Sequence, residues 1–80
     1  AALVMTRASV AERLALPVVA RVAAHAAHAH EPGLFTTAPV PAMRGALEKA
    51  GWSLDEVDLF EVNEAFAVVA MIAMRELGIE

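Results

Sequence analysis

Residues 65–74 read Ala-Phe-Ala-Val-Val-Ala-Met-Ile-Ala-Met, an unbroken apolar run of ten. No other feature restricts the possible folds as strongly. Asn63 before the run and Gly78 after it are start and stop signals, so a helix is expected over 64–77. Asn63 would be its N-cap, with Glu64 near the positive end of the helix dipole and Arg75 near the negative end. A soluble helix that is apolar on every face is buried on every face. The chain has 80 residues, at most one small domain, and cannot surround one of its own helices. A cover from elsewhere is expected: a second domain, or other copies of the chain.

Composition points the same way. Hydrophobic residues make up 59% of the chain, above the ~45–50% usual for soluble domains. This is the composition of the interior of a larger object. A membrane-spanning helix needs about 20 mostly apolar residues. The longest run here is ten, and the stretch 14–27 is interrupted by Pro17, Arg21 and His25, so no membrane partner is expected. The net charge is −4 and there is no Lys/Arg cluster to neutralise phosphates, which argues against nucleic acid. Cysteine is absent, so this chain supplies no disulfide, no thiolate metal ligand and no cysteine nucleophile. The opening residues Ala1-Ala2-Leu3-Val4-Met5 lack a basic region and a cleavage signature, so they are not a signal peptide. They read as mid-strand, as though the chain were cut from something longer. A cytoplasmic location is expected.

The remaining elements follow from local signals. Residues 2–6 form a continuous apolar run without helical period and read as a buried strand. Ser9 and Glu12 have capping-box spacing, and a short helix to about Leu16 would be stopped by Pro17. Residues 18–25, with Val18, Val19 and Val22, read as a second strand. Residues 26–38 read as a loop long enough to be functional. A helix starts near Pro39 to Pro41, where proline is tolerated. It places Val40, Met43, Leu47 and Ala50 on one face and Arg44, Glu48 and Lys49 toward the other, and Gly51 ends it. Ser53 and Glu56 repeat the capping-box spacing around one turn, and residues 58–62 read as a third strand. Strands alternating with helices give an α/β chain of strand, helix, strand, loop, helix, strand, helix, with mainly parallel neighbours.

The segment Asn63-Glu64-Ala65-Phe66-Ala67 resembles a signature of the thiolase family. The resemblance runs in family order from Ala1-Ala2-Leu3-Val4-Met5, through Ala38-Pro39-Val40-Pro41-Ala42-Met43-Arg44 and Ala50-Gly51-Trp52-Ser53-Leu54-Asp55-Glu56-Val57-Asp58-Leu59-Phe60-Glu61-Val62, to Glu76-Leu77-Gly78. It implies that residues 1–80 are part of a thiolase C-terminal domain. The implied architecture is a five-layered fold of two similar halves, of which this chain would hold an incomplete mixed sheet. Helices lie between the sheets, and the apolar helix would be one of them.

The resemblance also implies chemistry. Thiolases transfer acyl groups between coenzyme A thioesters through an acyl-cysteine intermediate. The family's nucleophilic cysteine, its Gly-His-Pro histidine and its Cys-x-Gly-Gly-Gly cysteine are not in this sequence. The implied chain is therefore inactive alone. Asn63 matches the family asparagine that holds a water in the oxyanion hole. The competing reading is that Asn63 is only a helix cap. Ala65 and Phe66 match residues lining the acyl pocket, with plain core packing as the alternative. Phe35 falls on the loop that meets the acyl end of the substrate, where it would reshape the pocket or simply anchor the loop. No cofactor is implied beyond the coenzyme A thioester substrate. The implied partners are acyl-CoA and coenzyme A, and the intact protein would be a homo-oligomer, dimer or tetramer.

His25, His28 and His30, followed by Glu31, have spacing compatible with metal ligands. The Ala-rich loop offers no fixed second shell, and the three read as exposed loop residues with no metal. Against the enzyme reading stands a second class: a non-catalytic α/β module that assembles with itself or with a companion subunit.

Overall fold

Each of the three α-helices ends in the same way, and these ends set the direction of the chain. A computed structural model describes residues 1–79. It contains α1 (Ala8–Arg13), α2 (Pro39–Ala50) and α3 (Ala67–Leu77), with 3₁₀ helices at Pro32–Thr37 and Leu54–Glu56. At the end of α2 the chain turns left-handed at Gly51 (φ 71°), and Trp52 N–H closes on Leu47 O at 3.0 Å. At the end of α3, Gly78 (φ 68°) does the same, with Ile79 N–H on Met74 O at 3.0 Å. The end of α1 copies this closure without a glycine. Leu16 N–H donates to Ala11 O at 2.9 Å while Ala15 sits at φ 50°. These closures satisfy carbonyls that the last helical turn leaves unpaired.

α2 meets the sequence expectation. Val40 is buried, Met43, Leu47 and Ala50 are half-buried, and Arg44, Glu48 and Lys49 are exposed. α2 packs on α3, and both pack on the 3₁₀ helix Pro32–Thr37. The stripe α3 contributes is Val69, Ala73 and Leu77, spaced four apart, with Ala73 only 1% exposed. Burying a valine or leucine side chain is worth about 2 kcal/mol each. The rest of the core is small: Ala11 and Val40.

The α/β expectation is overturned. Among the described residues there is no strand, and residues 2–6, 18–25 and 58–62 form no ladder. The apolar runs that suggested strands are largely exposed, with Val4 99% and Val19 100% accessible. β-propensity expresses fit to a half-buried pleated surface, not an intrinsic backbone preference. Among the described residues no second extended segment pairs with these stretches, so the preference goes unmet. The incomplete mixed sheet is absent for the same reason.

Two helix starts also differ from expectation. α1 begins at Ala8 with Arg7 as its N-cap and no side-chain cap, so Ser9 is already helical and cannot form its box with Glu12. α3 begins at Ala67, not Glu64, and its N-cap is Phe66 in extended backbone (φ −143°, ψ 148°). Asn63 is therefore not a cap, and Glu64 lies ahead of the dipole instead of inside its first turn. The competing interactions are a tight turn, with Ala65 N–H on Asn63 O at 2.9 Å, and the contact of the Phe66 ring with Phe35. The Ser53–Glu56 box does form: Ser53 N–H and Oγ both donate to one Glu56 carboxylate oxygen, at 2.7 and 3.1 Å.

The expectation that α3 needs a cover fits what is seen. Its outward side leaves Val68 44%, Met71 66% and Met74 45% exposed. The radius of gyration is 15.3 Å, against about 12 Å for a compact domain of this length.

Candidate functional site

Three stretches distant in sequence enclose one hollow of about 340 Å³. The 3₁₀ helix contributes Phe35. α2 contributes Pro39, Ala42 and Met43 from its first turns. The chain before α3 contributes Glu61, Val62, Asn63 and Ala65, and Val69 closes the wall from α3 itself. The volume lies within the range of small-molecule sites, about 300–1,000 Å³.

The packing of α2 and α3 on the 3₁₀ helix creates this space. Pro39 and Met43 are one helical turn apart on α2 and point the same way. The late start of α3 leaves residues 63–66 bent, which brings Asn63 and Ala65 to the same wall. Phe66 is not in the wall. Its ring stands against the Phe35 ring, edge to face, with centroids 6.0 Å apart. The pair geometry is the favoured one for aromatic rings.

The lining residues are apolar but for two, Glu61 and Asn63. Among the described residues neither side chain has a hydrogen-bond partner. An amide offers two N–H donors and one acceptor and carries no charge. A hollow of this kind can hold a short apolar group and present a neutral donor to a polar atom beside it. Its lining has no serine, threonine, cysteine, lysine or histidine.

Of the residues singled out by sequence, Phe35, Asn63 and Ala65 come together on this hollow, and Phe66 buttresses it through Phe35. Glu64 is exposed and lies outside the lining. Glu61 and Met43 belong to the lining and had no separate signal in the sequence. A lone acid inside the apolar stretch 59–62 was the available hint. A second hollow of about 420 Å³ lies between residues 58–62 and Ala70, Ala73 and Met74 of α3, with Ile79. It contains none of the four residues, and Asp58 is its one titratable group.

The histidines form a separate arrangement. His28 Nε2 and His30 Nδ1 are 3.2 Å apart, with the rings edge to face. His25 is held by its backbone, where Lys49 Nζ donates to the carbonyl at 3.2 Å. Among the described residues no three metal-binding side chains are grouped to hold an ion, and no described helix is long and apolar enough to cross a membrane.

Comparison with known proteins places these residues in context. Residues 16–80 match the family described as thiolase, C-terminal domain. The chain is 47% identical over 78 residues to an acetyl-CoA acetyltransferase of Pseudomonas aeruginosa, covering 98% of the chain and 20% of that protein. It is 44% identical over 79 residues to a cytosolic acetyl-CoA acetyltransferase of Mus musculus, covering 99% of the chain and 20% of the relative. A 3-ketoacyl-CoA thiolase of Aliivibrio fischeri is 42% identical over 69 residues, with 86% of the chain and 18% of that protein covered. The chain spans about a fifth of the length of the curated relatives it matches.

Proposed function

This chain belongs to the thiolase family, through its C-terminal domain, and on that premise we propose that the native gene product transfers acyl groups between coenzyme A thioesters. The observation that carries the reading is the meeting of Asn63 with Phe35 and Ala65 on one largely apolar hollow. The names of the relatives, acetyl-CoA acetyltransferase and 3-ketoacyl-CoA thiolase, support acetoacetyl or 3-ketoacyl thioesters as substrates.

In this reading the hollow receives the acyl end of the substrate. Asn63 donates an amide hydrogen to a water, and the water donates to the thioester oxygen as that oxygen gains negative charge. A neutral donor suits this task because it costs little to hold in place and is most useful when charge develops. The acyl-cysteine intermediate forms on a cysteine that this sequence does not contain, so the 80 residues alone are inactive. No cofactor is required beyond the thioester itself. A homo-oligomeric native protein belongs to the same reading, and the cytosolic naming of the mouse relative supports a cytoplasmic one.

The test is thiolysis of acetoacetyl-CoA by free coenzyme A, with the native gene product and with the 80-residue chain. The native product turns over; the short chain stays at the no-protein rate. Asn63→Ala lowers kcat by about 10²–10³, as for other oxyanion donors. An Asn63→Ala variant at the wild-type rate sinks the role of Asn63. A native product without thioester turnover sinks the enzyme reading in favour of a non-catalytic assembly module.

A further inference from the structure

Two side chains converge on a single backbone carbonyl, that of Leu34. Thr37 Oγ1 donates to it at 2.8 Å, and His30 Nε2 lies 2.8 Å from it. Leu34 is where the 3₁₀ helix departs from helical dihedrals, at φ −112° and ψ 16°. The next residue is Phe35, which lines the hollow and meets the Phe66 ring.

The protons in this arrangement follow from the partners. A carbonyl only accepts, so His30 Nε2 carries its ring hydrogen. That one ring hydrogen is shared between Leu34 O and Thr37 Oγ1, 2.9 Å from Nε2, while the Thr37 hydroxyl hydrogen goes to Leu34 O. His30 Nδ1 is left as an acceptor, and His28 Nε2 at 3.2 Å is its donor. Three hydrogens, the His30 one shared between two acceptors, then cover the four contacts.

A kinked, mostly exposed turn has little core to hold it. Leu34 and Phe35 are both 53% exposed, and no residue of Pro32–Thr37 is buried. The converging donors at Leu34 O brace the bend beside its packing on α2 and α3, and the bend bears on where the Phe35 ring stands.

We propose that His30 and Thr37 are positioning residues which, through the Leu34 carbonyl, hold the Phe35 ring at the end of the hollow and so set which acyl groups it accepts. The inference rests on reading the hollow as the acyl pocket. Loosening the brace lets the ring leave Phe66 and opens that end of the pocket to larger groups. Discrimination by one methylene in an apolar pocket is about 10–200-fold, so partial loss is measurable.

The test uses the native gene product with Thr37→Val, Thr37→Ser and His30→Ala. One readout is the nuclear Overhauser contact between selectively labelled Phe35 and Phe66 rings. The other is the ratio of kcat/KM for acetoacetyl-CoA over a longer 3-ketoacyl-CoA. Thr37→Val and His30→Ala weaken the ring contact and lower the ratio by about threefold or more, and Thr37→Ser, which keeps the hydroxyl, preserves both. If His30→Ala fails to fold, the isosteric valine and the conservative serine decide alone. Unchanged ring contact in Thr37→Val overturns the proposal, and so does lost contact with an unchanged ratio. If the wild type turns over no acyl thioester, the acyl reading has failed, and the ring contact alone then decides the brace.

Discussion

The Arg44 guanidinium of α2 donates a hydrogen bond of 2.7 Å to the backbone carbonyl of Glu76 in the last turn of α3. That carbonyl has no partner within its own helix. The bond therefore satisfies an orphan acceptor, brings a positive charge to the negative end of the helix, and ties the two helices together.

Loss of this bond destabilises the α2–α3 pair. The contact is exposed, so the expected cost of Arg44→Ala is about 1 kcal/mol, below the ~1.5–3 kcal/mol of charge-assisted bonds. Arg44→Met keeps the packing of the aliphatic stem and separates that contribution from the bond. Hydrogen exchange at the amides of the last turn of α3, in the native gene product, checks this. The nearby pair Arg75–Glu76, at 4.0 Å with side chains 87% and 52% exposed, is expected to contribute almost nothing.

Ala15 adopts the left-handed conformation that Gly51 and Gly78 adopt at the other helix ends. A side chain there costs about 1–2 kcal/mol, and glycine gives back part of this through the entropy of its unfolded state. Ala15→Gly is expected to stabilise the end of α1 by about 0.5–1 kcal/mol. Slower exchange of the Leu16 amide, which is bonded to Ala11 O, would report it.

Gly45 stands inside α2, where glycine is about 1 kcal/mol poorer than alanine. A Cβ added there would meet Ala26 Cβ at 3.4 Å, an ordinary contact. Gly45→Ala is expected to stabilise α2 by about 0.5–1 kcal/mol in a denaturation experiment. A loss instead would show that residue 26 cannot yield.

The Glu56 carboxyl titrates below the ordinary glutamate value of 4.5, first because it accepts the Ser53 N–H and next because it accepts the Ser53 hydroxyl. A folded pKa below the unfolded one means the carboxylate stabilises the turn above about pH 4.5. That contribution disappears as pH falls through the folded pKa. Glu56→Gln should remove the acid-side slope of turn stability and leave the profile of the other carboxylates in place. Carboxyl NMR titration of Glu56 reads the shift directly, and a midpoint at or above 4.5 refutes it.

Legibility in the sequence followed the range of the interactions. The amphipathic pattern of α2 and the Ser53–Glu56 box depend on residues three or four apart, and both are as read. The outward residues Arg44 and Lys49 were recognisable as polar, but not their targets, carbonyls 32 and 24 residues away. The three expected strands failed because a strand is a relation between two segments, and the pattern of one segment cannot supply the other. Phe35, Asn63 and Ala65 were singled out through the family resemblance, and the packing of three elements brings them to one hollow. The error was local: the start of α3 was placed at the strongest capping residue, whereas the Phe66–Phe35 contact moves it to Ala67.

That displacement makes the two readings of Asn63 separable. A true N-cap loses about 1 kcal/mol when replaced by alanine and almost nothing when replaced by aspartate, which caps equally well. An oxyanion donor behaves otherwise, because aspartate has no N–H and adds a negative charge where negative charge develops. Since Phe66 occupies the N-cap of α3, Asn63→Ala should change stability by less than about 0.5 kcal/mol. Asn63→Asp should be equally harmless to folding and at least as damaging to turnover as alanine. Thermal unfolding and thioester assays on both variants of the native gene product give the answer. A stability loss in alanine that aspartate restores, with turnover restored alongside it, would return Asn63 to a purely structural role.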